Sequence, residues 1–265
     1  MPDLVVIIPT RGRPGAIPEL IESFLETCGE DTSIIFAVDD DDPLLDDYGT
    51  AVRESLYIGG TDPDGWRTWE RRDKTINAGV CVIDNPTNMV GALNRTAAYV
   101  LNPEILVNFG VKAIAFMGDD HRPRTAGWDT AYLEALGAKP GFVYGNDLHQ
   151  GRRIPTQVAI SVSVVRALGH MAPDVLTHLY VDDYWKNLGT SAGCLTYLPE
   201  IVVEHCHPAA GKAGWDPGYV RVNDPGMYAR DEKAIQDYWE AYGSRDIRLV
   251  MDAISRESSD GDQHV

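Results

Sequence analysis

Apolar positions along the chain alternate between two rhythms, and together they predict most of its elements. Leu4, Val5, Val6, Ile7 and Ile8 form an unbroken run rich in β-branched residues. A strand covered on both faces of a parallel sheet has this pattern. After the polar loop Pro9 to Pro14, residues Ile17, Leu20, Ile21, Phe24 and Leu25 fall on a single helical stripe, which Gly29 ends. Strand, polar loop and amphipathic helix are the opening of a βαβ unit. Further strands are predicted at Ser33 to Val38, Val80 to Ile83, Ala113 to Met117 and Phe142 to Tyr144. Helices are predicted where Val90, Leu93, Ala97 and Leu101, and then Trp128, Tyr132, Leu133 and Leu136, recur at helical spacing. Strand and helix alternating in this way predict a mainly parallel α/β sheet.

Two regions break the rhythm. Residues 44–78 mix turn residues, aromatics and basic residues, and read either as a flap over a ligand or as a surface excursion. Beyond residue 150 the elements shorten. A strand is predicted at Pro155 to Val162, a short helix at Ser163 to Gly169 and a helix entered at Asp182 and Asp183. Two short strands, Gly193 to Leu198 and Ile201 to Val203, come next, then a Gly-hinged segment around Gly211 to Trp215. A last helix is expected over 228–242, and a polar tail over 251–265 that is disordered from Ser255.

Composition narrows the class. The 265 residues are 44% hydrophobic and 24% charged, ordinary for a globular chain, and are expected to form one domain over 1–250. A net charge of −17 opposes non-specific binding to nucleic acid or an anionic membrane and suits a protein that attracts divalent cations. Cys28, Cys81, Cys194 and Cys206 show no C-x-x-C spacing, so reduced thiols in a cytoplasm are expected. The N-terminus lacks the basic region of a signal peptide, and no apolar window approaches the ~18 residues of a spanning helix.

The chemistry-bearing residues cluster where predicted strands end. Ala113 to Met117 empties into Gly118, Asp119, Asp120 and His121. Unpaired carboxylates are costly to bury, so such a strand ends at a pocket, a metal or a helix cap. The first strand delivers Thr10, Arg11 and Arg13, and the second delivers Asp39 at the head of four consecutive carboxylates. Open α/β sheets bind ligands at this edge. Asn94 interrupts the inner face of its helix, and either caps backbone or reaches a polar site. Asp182 and Asp183 suit a helix start on dipole grounds alone. His205 and His207, as His-x-His on an extended segment, point to one side and can grip a metal.

Taken in order, these pieces resemble the inverting glycosyltransferases of family 2, which have the GT-A fold of nucleotide-diphospho-sugar transferases. The resemblance covers roughly residues 4–208 with a gap at 44–78. It rests on Pro9, Thr10 and Arg11 after the first strand, Asp39 after the second, and Gly91 to Asn94 in place of G-x-x-x-A-R-N. Gly118, Asp119 and Asp120 stand where D-x-D is expected, Val181 to Trp185 resembles E-D-x-x-W, and His205 or His207 resembles the late metal histidine. The chain departs from the pattern in having Leu93 where the helix Arg is usual, a D-x-D whose first carboxylate is either missing or shifted by one, and Asp for Glu before Asp183.

The resemblance implies a nucleotide-sugar-binding half over about 1–122 and a smaller mixed acceptor and catalytic half over about 123–250. Thr10, Arg11, Arg13, Asp39, Asn94 and Asp119 would hold a nucleotide-diphosphate sugar, with UDP-sugar favoured. Asp120 with His207 or His205 would bind Mn²⁺ or Mg²⁺, and Asp183 or Asp182 would be the general base. The acceptor hydroxyl could belong to a DNA base, a glycan or a small molecule. Similarity to small phage-encoded glycosyltransferases raises a hydroxymethylated DNA base and, in that case, a host cytoplasm. The rival is a dinuclear metallophosphoesterase, whose GD, GNH and H-x-H ligand sets resemble Gly118 to His121, Gly145 to His149 and His205 to His207. Its opening Asp-x-His is replaced here by Thr10 and Arg11. A nucleotidyltransferase would need a Gly-rich loop that the first strand lacks, and a binding module without turnover is the last alternative.

Overall fold

The structure, a computed structural model, describes all residues except 1–2, 30–31, 62–66, 72–75, 85–87, 105–109, 223 and 262–265. The β-branched runs pair as their pattern predicts. β1 (Leu4–Pro9) lies between β2 (Thr32–Asp39) and β6 (Ala113–Phe116), parallel to both, and β5 (Asn77–Ile83) extends β2 in parallel. Beyond β6 the sheet continues through β9 (Val158–Ser161), β8 (Phe142–Asn146), β10 (Leu195–His205) and β7 (His121–Pro123). The order is β5-β2-β1-β6-β9-β8-β10-β7; β9 runs antiparallel to both β6 and β8, and β7 runs antiparallel to β10.

Alternate residues of each strand enter separate cores on the two faces. Leu4, Val6 and Ile8 pack with α1 (Ile17–Thr27), α2 (Leu45–Leu56) and α4 (Trp128–Ala138). Val5 and Ile7 pack on the other face with α3 (Met89–Val100), α5 (Val162–Leu168), α6 (Val181–Ser191) and α8 (Pro225–Gly261). In α1 the predicted stripe is the buried face, with Ile17, Leu20, Ile21 and Phe24 each 1% exposed or less. Each such side chain contributes roughly 1.5–3 kcal/mol on burial. A 3-10 turn at Pro14–Ala16 precedes the helix.

Several expectations change. Residues 45–56 form α2, anchored by buried Tyr48, Val52 and Leu56, and Tyr57–Thr61 pairs antiparallel with Arg67–Arg71 as the hairpin β3-β4. The two late strands are one, β10, whose register against β8 shifts between Leu198 and Val202. The predicted tail is helical as far as Gly261, because Val250 and Ala253 continue a buried stripe into the core shared with α5. The Gly-rich segment after His207 holds a 3-10 turn (Pro208–Ala210) and then α7 (Pro217–Val222).

Candidate active site

Parallel pairing brings the ends of β1, β2 and β6 to one edge of the sheet, so the residues that follow them meet. Asp119, nearly buried, accepts hydrogen bonds from Thr10 Oγ1 at 2.7 Å and Arg13 at 2.8 Å. Arg11 pairs with Asp39 at 3.1 Å and with Asp41. Asp39 lines the cleft and keeps its Oδ1 buried without a hydrogen-bond partner. Asp42, far from being part of a solvated turn, is buried and accepts the backbone N–H groups of Gly12 and Leu44 at 2.7 and 2.8 Å. It thereby fixes the loop that carries Arg11 and Arg13.

The turn after β6 is tight for a definite reason. A Cβ on Gly118 would lie 2.6 Å from Asp120 Oδ1 and 3.1 Å from His121 Nδ1, so only glycine lets both side chains fold back over it. The chain then enters β7, which pairs with the end of β10 so that His121 stands opposite His205. Their rings stack at 4.3 Å and 15°. His205 Nε2 lies 3.2 Å from Asp120 Oδ2, and Gly118 N–H donates to His121 Nδ1 at 3.1 Å. The ligand atoms of Asp120, His121 and His205 all fall within 4.8 Å of one another. His121 Nε2 and His205 Nδ1 are buried without hydrogen-bond partners. The nitrogens that approach Asp120 are the other two, His121 Nδ1 at 3.3 Å and His205 Nε2 at 3.2 Å, and one carboxylate with two imidazoles converging in this way fits a divalent cation.

Electrostatics divides the two adjacent carboxylates. Burial and the charge of Asp120 push Asp119 up. Burial works against ionisation of Asp120 too, yet the adjacent His121 and His205 imidazoles outweigh it and hold Asp120 well below the usual carboxylate range. His205 is correspondingly raised, its interaction with Asp120 overcoming burial, whereas burial and the neighbouring His205 lower His121. Asp120 is therefore the standing negative charge of this corner.

Of the expected metal residues, the structure brings Asp120 and His205 together but supplies His121 as the third member. His207 lines the same cleft, its Nδ1 accepting the Ala209 N–H at 3.1 Å, and lies outside the three-residue cluster. Asn94 does not line the cleft. Its Oδ1 accepts the backbone N–H groups of Met171 and Ala172, and its Nδ2 donates to the Ala172 carbonyl, so the amide braces the turn at 171–174. That is the backbone-capping alternative for a buried amide.

The opposite wall is the start of α6. Tyr180 adopts a left-handed conformation (φ 62°), which turns the chain so that Asp182 and Asp183 enter the helix facing the cleft. Trp185, a helical turn along, packs on Phe116 and donates to the Met171 carbonyl at 2.7 Å, locking the helix to the sheet. Burial and the charge of Asp183 push Asp182 up to about 6; burial also raises Asp183, opposed by Arg153. The loop before α6 hangs on Asp231 of α8, fully buried, whose Oδ2 accepts the N–H groups of Thr177, His178 and Leu179 at 3.0–3.1 Å. Asp147 likewise gathers the N–H groups of His149, Gln150 and Gly151 and the Thr156 hydroxyl. Asp147 thereby holds the turn that carries His149 into the cleft, where its ring meets those of His205 and His207.

α7 closes the remaining side. Tyr219 donates to Asp120 Oδ2 at 2.7 Å, the Arg13 guanidinium lies 4.1 Å over the Tyr219 ring, and Asp216 pairs with Arg13. Nothing in the sequence of this Gly-rich segment pointed to Asp216 or Tyr219. Together these walls enclose a cleft of about 760 Å³, within the range of sites that enclose small ligands and cofactors.

No protein-family model matches the chain, and no curated protein matches it. Among solved structures, it is similar to a mannosyltransferase, PcManGT from Pyrobaculum calidifontis, in complex with GDP-Man and Mn²⁺. That match has a TM-score of 0.55 at 13% identity over 97% of this chain and 75% of that one. TarS from S. aureus also matches, in complex with UDP (TM-score 0.49, 10% identity, 77% of this chain) and with UDP-GlcNAc (TM-score 0.49, 10% identity, 92% of this chain). The two alignments span 59% and 73% of the TarS chains. The fold, a mainly parallel sheet between helical layers with its polar residues gathered at one strand edge, is the GT-A fold of the nucleotide-diphospho-sugar transferases. Among the described residues no helix is long and apolar enough to cross a membrane.

Proposed function

We propose that the chain is a metal-dependent, inverting glycosyltransferase that moves a sugar from a nucleotide-diphosphate donor to an acceptor hydroxyl. The observation that carries this reading is the meeting of Asp120, His121 and His205 with the Arg11 and Asp39 pair and with Asp182 and Asp183 in one cleft. Residues 1–122 would form the donor half and 123–250 the acceptor half. Asp39, which lines the cleft beside Arg11, is suited to accept an N–H or hydroxyl of the nucleoside, a UDP-type donor being favoured. Arg11 and Arg13, oriented by Asp39, Asp41 and Asp119, supply positive charge near the diphosphate.

Asp120, His121 and His205 would hold a divalent cation, which neutralises the leaving diphosphate. Two imidazoles and one carboxylate favour Mn²⁺ over Mg²⁺, because Mg²⁺ prefers oxygen ligands. Asp182 takes the role of base: a carboxylate raised to about 6 is well matched to accept the acceptor hydroxyl's proton near neutral pH. The acceptor oxygen bonds to the anomeric carbon as the bond to the diphosphate oxygen breaks, and the proton ends on Asp182. Asp183 keeps its neighbour's proton affinity high. Of the acceptor classes, DNA is disfavoured by the net charge of −17.

The test is a thermal-shift panel of nucleoside diphosphates and nucleotide sugars, with and without Mn²⁺. A donor at 100 times its dissociation constant should stabilise the chain by roughly 2.7 kcal/mol. Failure of every nucleoside diphosphate to raise the melting temperature would sink the proposal.

A further inference from the structure

A second concavity, of about 290 Å³, lies beyond the loop that forms one rim of the cleft. Its walls are Tyr144 of β8, Tyr197 of β10, Lys186 and Thr190 of α6, and Arg152. The arrangement is built from several elements that hold one another. Tyr144 donates to the Arg152 carbonyl at 3.0 Å and Lys186 Nζ donates to the same oxygen at 3.1 Å. The Arg152 guanidinium sits 5.0 Å over the Tyr197 ring, Lys186 Nζ lies 6.0 Å from the Tyr144 ring, and the two tyrosines pack at 5.0 Å. Cations stacked on aromatic faces are held in place with little further entropy to lose on binding.

Charge makes this place unusual. In a chain of net charge −17, neither Arg152 nor Lys186 is paired with a carboxylate among the described residues. Two fixed cations flanked by the Tyr197 and Thr190 hydroxyls suit an anionic group carried on a polyhydroxylated body. The volume lies at the bottom of the range for small-ligand pockets. Position supplies the link to chemistry. Gln150, Ile154 and Thr156 of the Arg152 loop line the main cleft, as do Asp182 and Asp183 one turn before Lys186. A chain-like acceptor reaching Asp182 with one hydroxyl would pass its next unit over this rim.

We propose that this concavity is an accessory acceptor subsite for an acidic saccharide unit bearing a carboxylate or a phosphate. As a statement about the acceptor, it rests on the glycosyltransferase reading. The experiment titrates the full chain with a galacturonate trisaccharide, with glucose 6-phosphate and with neutral maltotriose, followed by saturation-transfer NMR and calorimetry. At least one acidic ligand should bind about tenfold more tightly than maltotriose, weakening as salt rises; whichever acid binds better identifies the anion. The double variant Arg152→Gln, Lys186→Gln should lose about tenfold of that affinity while its melt shift with nucleoside diphosphate and Mn²⁺ stays at the wild-type value.

Equal binding of neutral and acidic saccharides, no saccharide binding at all, or undiminished acid binding by the double variant would overturn the subsite. So would a single-stranded oligonucleotide that outcompetes the saccharides and loses affinity in the same variant. The two readings fail separately: absence of the nucleotide shift removes the transferase reading and leaves the anion titration to judge the pocket.

Discussion

Replacing Asp182 with Asn should stabilise the protein at neutral pH while stopping sugar transfer. In the folded chain, burial and the nearby charge of Asp183 raise Asp182 from an ordinary carboxylate value of 3.8 to about 6. Between those values the native state binds more protons than the unfolded chain, so this group's contribution to stability falls as pH rises from about 4 to about 6. A rise of that size corresponds to about 3 kcal/mol. The side chain keeps some contact with solvent in the cleft, which reduces the expected gain from Asp182→Asn to about 1–2 kcal/mol. Urea denaturation of both proteins between pH 4 and pH 8 measures it: the two should coincide near pH 4 and separate above about pH 6. Transfer by the wild type should rise through the same pH range as the base ionises. A stability difference that does not change with pH, or a variant less stable than wild type at pH 8, would refute the assignment of a strained, proton-seeking carboxylate.

Gly118→Ala places a Cβ against Asp120 and His121, and overpacking of that kind costs about 1–3 kcal/mol. The melting temperature should fall and the Mn²⁺-dependent part of the nucleotide shift should disappear; an intact shift would mean that the turn does not set the cluster. Asp231→Ala leaves three backbone N–H groups without their acceptor and should cost about 3 kcal/mol in urea denaturation, with Asp231→Asn recovering part. Tyr219→Phe removes the hydroxyl that occupies Asp120 Oδ2 and should tighten Mn²⁺ binding, measured by calorimetry without nucleotide, by several-fold. Weaker binding in that variant would make Tyr219 an orienting partner of Asp120 rather than its competitor.

The sequence displays the parallel half of the sheet because those strands are buried on both faces, and β-branched runs such as Leu4 to Ile8 have few other uses. It conceals α2 because Asp46, Asp47, Arg53 and Glu54 crowd a helix whose buried anchors, Tyr48, Val52 and Leu56, come only once per turn. The far end of α8 is hidden for the same reason: Val250 and Ala253 form a narrow stripe in a polar stretch. Narrow stripes bury a helix when a partner face is ready, and here α5 supplies it.

The site divides along a similar line. Thr10, Arg11, Arg13, Asp39, Asp119 and Asp120 were legible because each follows a readable strand, and parallel pairing necessarily gathers such ends at one edge. His121 was visible as a residue but not as a partner of His205. The antiparallel pairing of β7 with β10 that stacks their rings joins segments about 85 residues apart, and the short β7 carries no period to announce it. The pairing sets His205 opposite His121, whereas His207 lies past the last paired residue of the strand. Local pattern can propose a ligand, but membership of a three-residue cluster is a property of strand register, and for the same reason Asn94, well placed on its helix, braces a turn instead of the cleft.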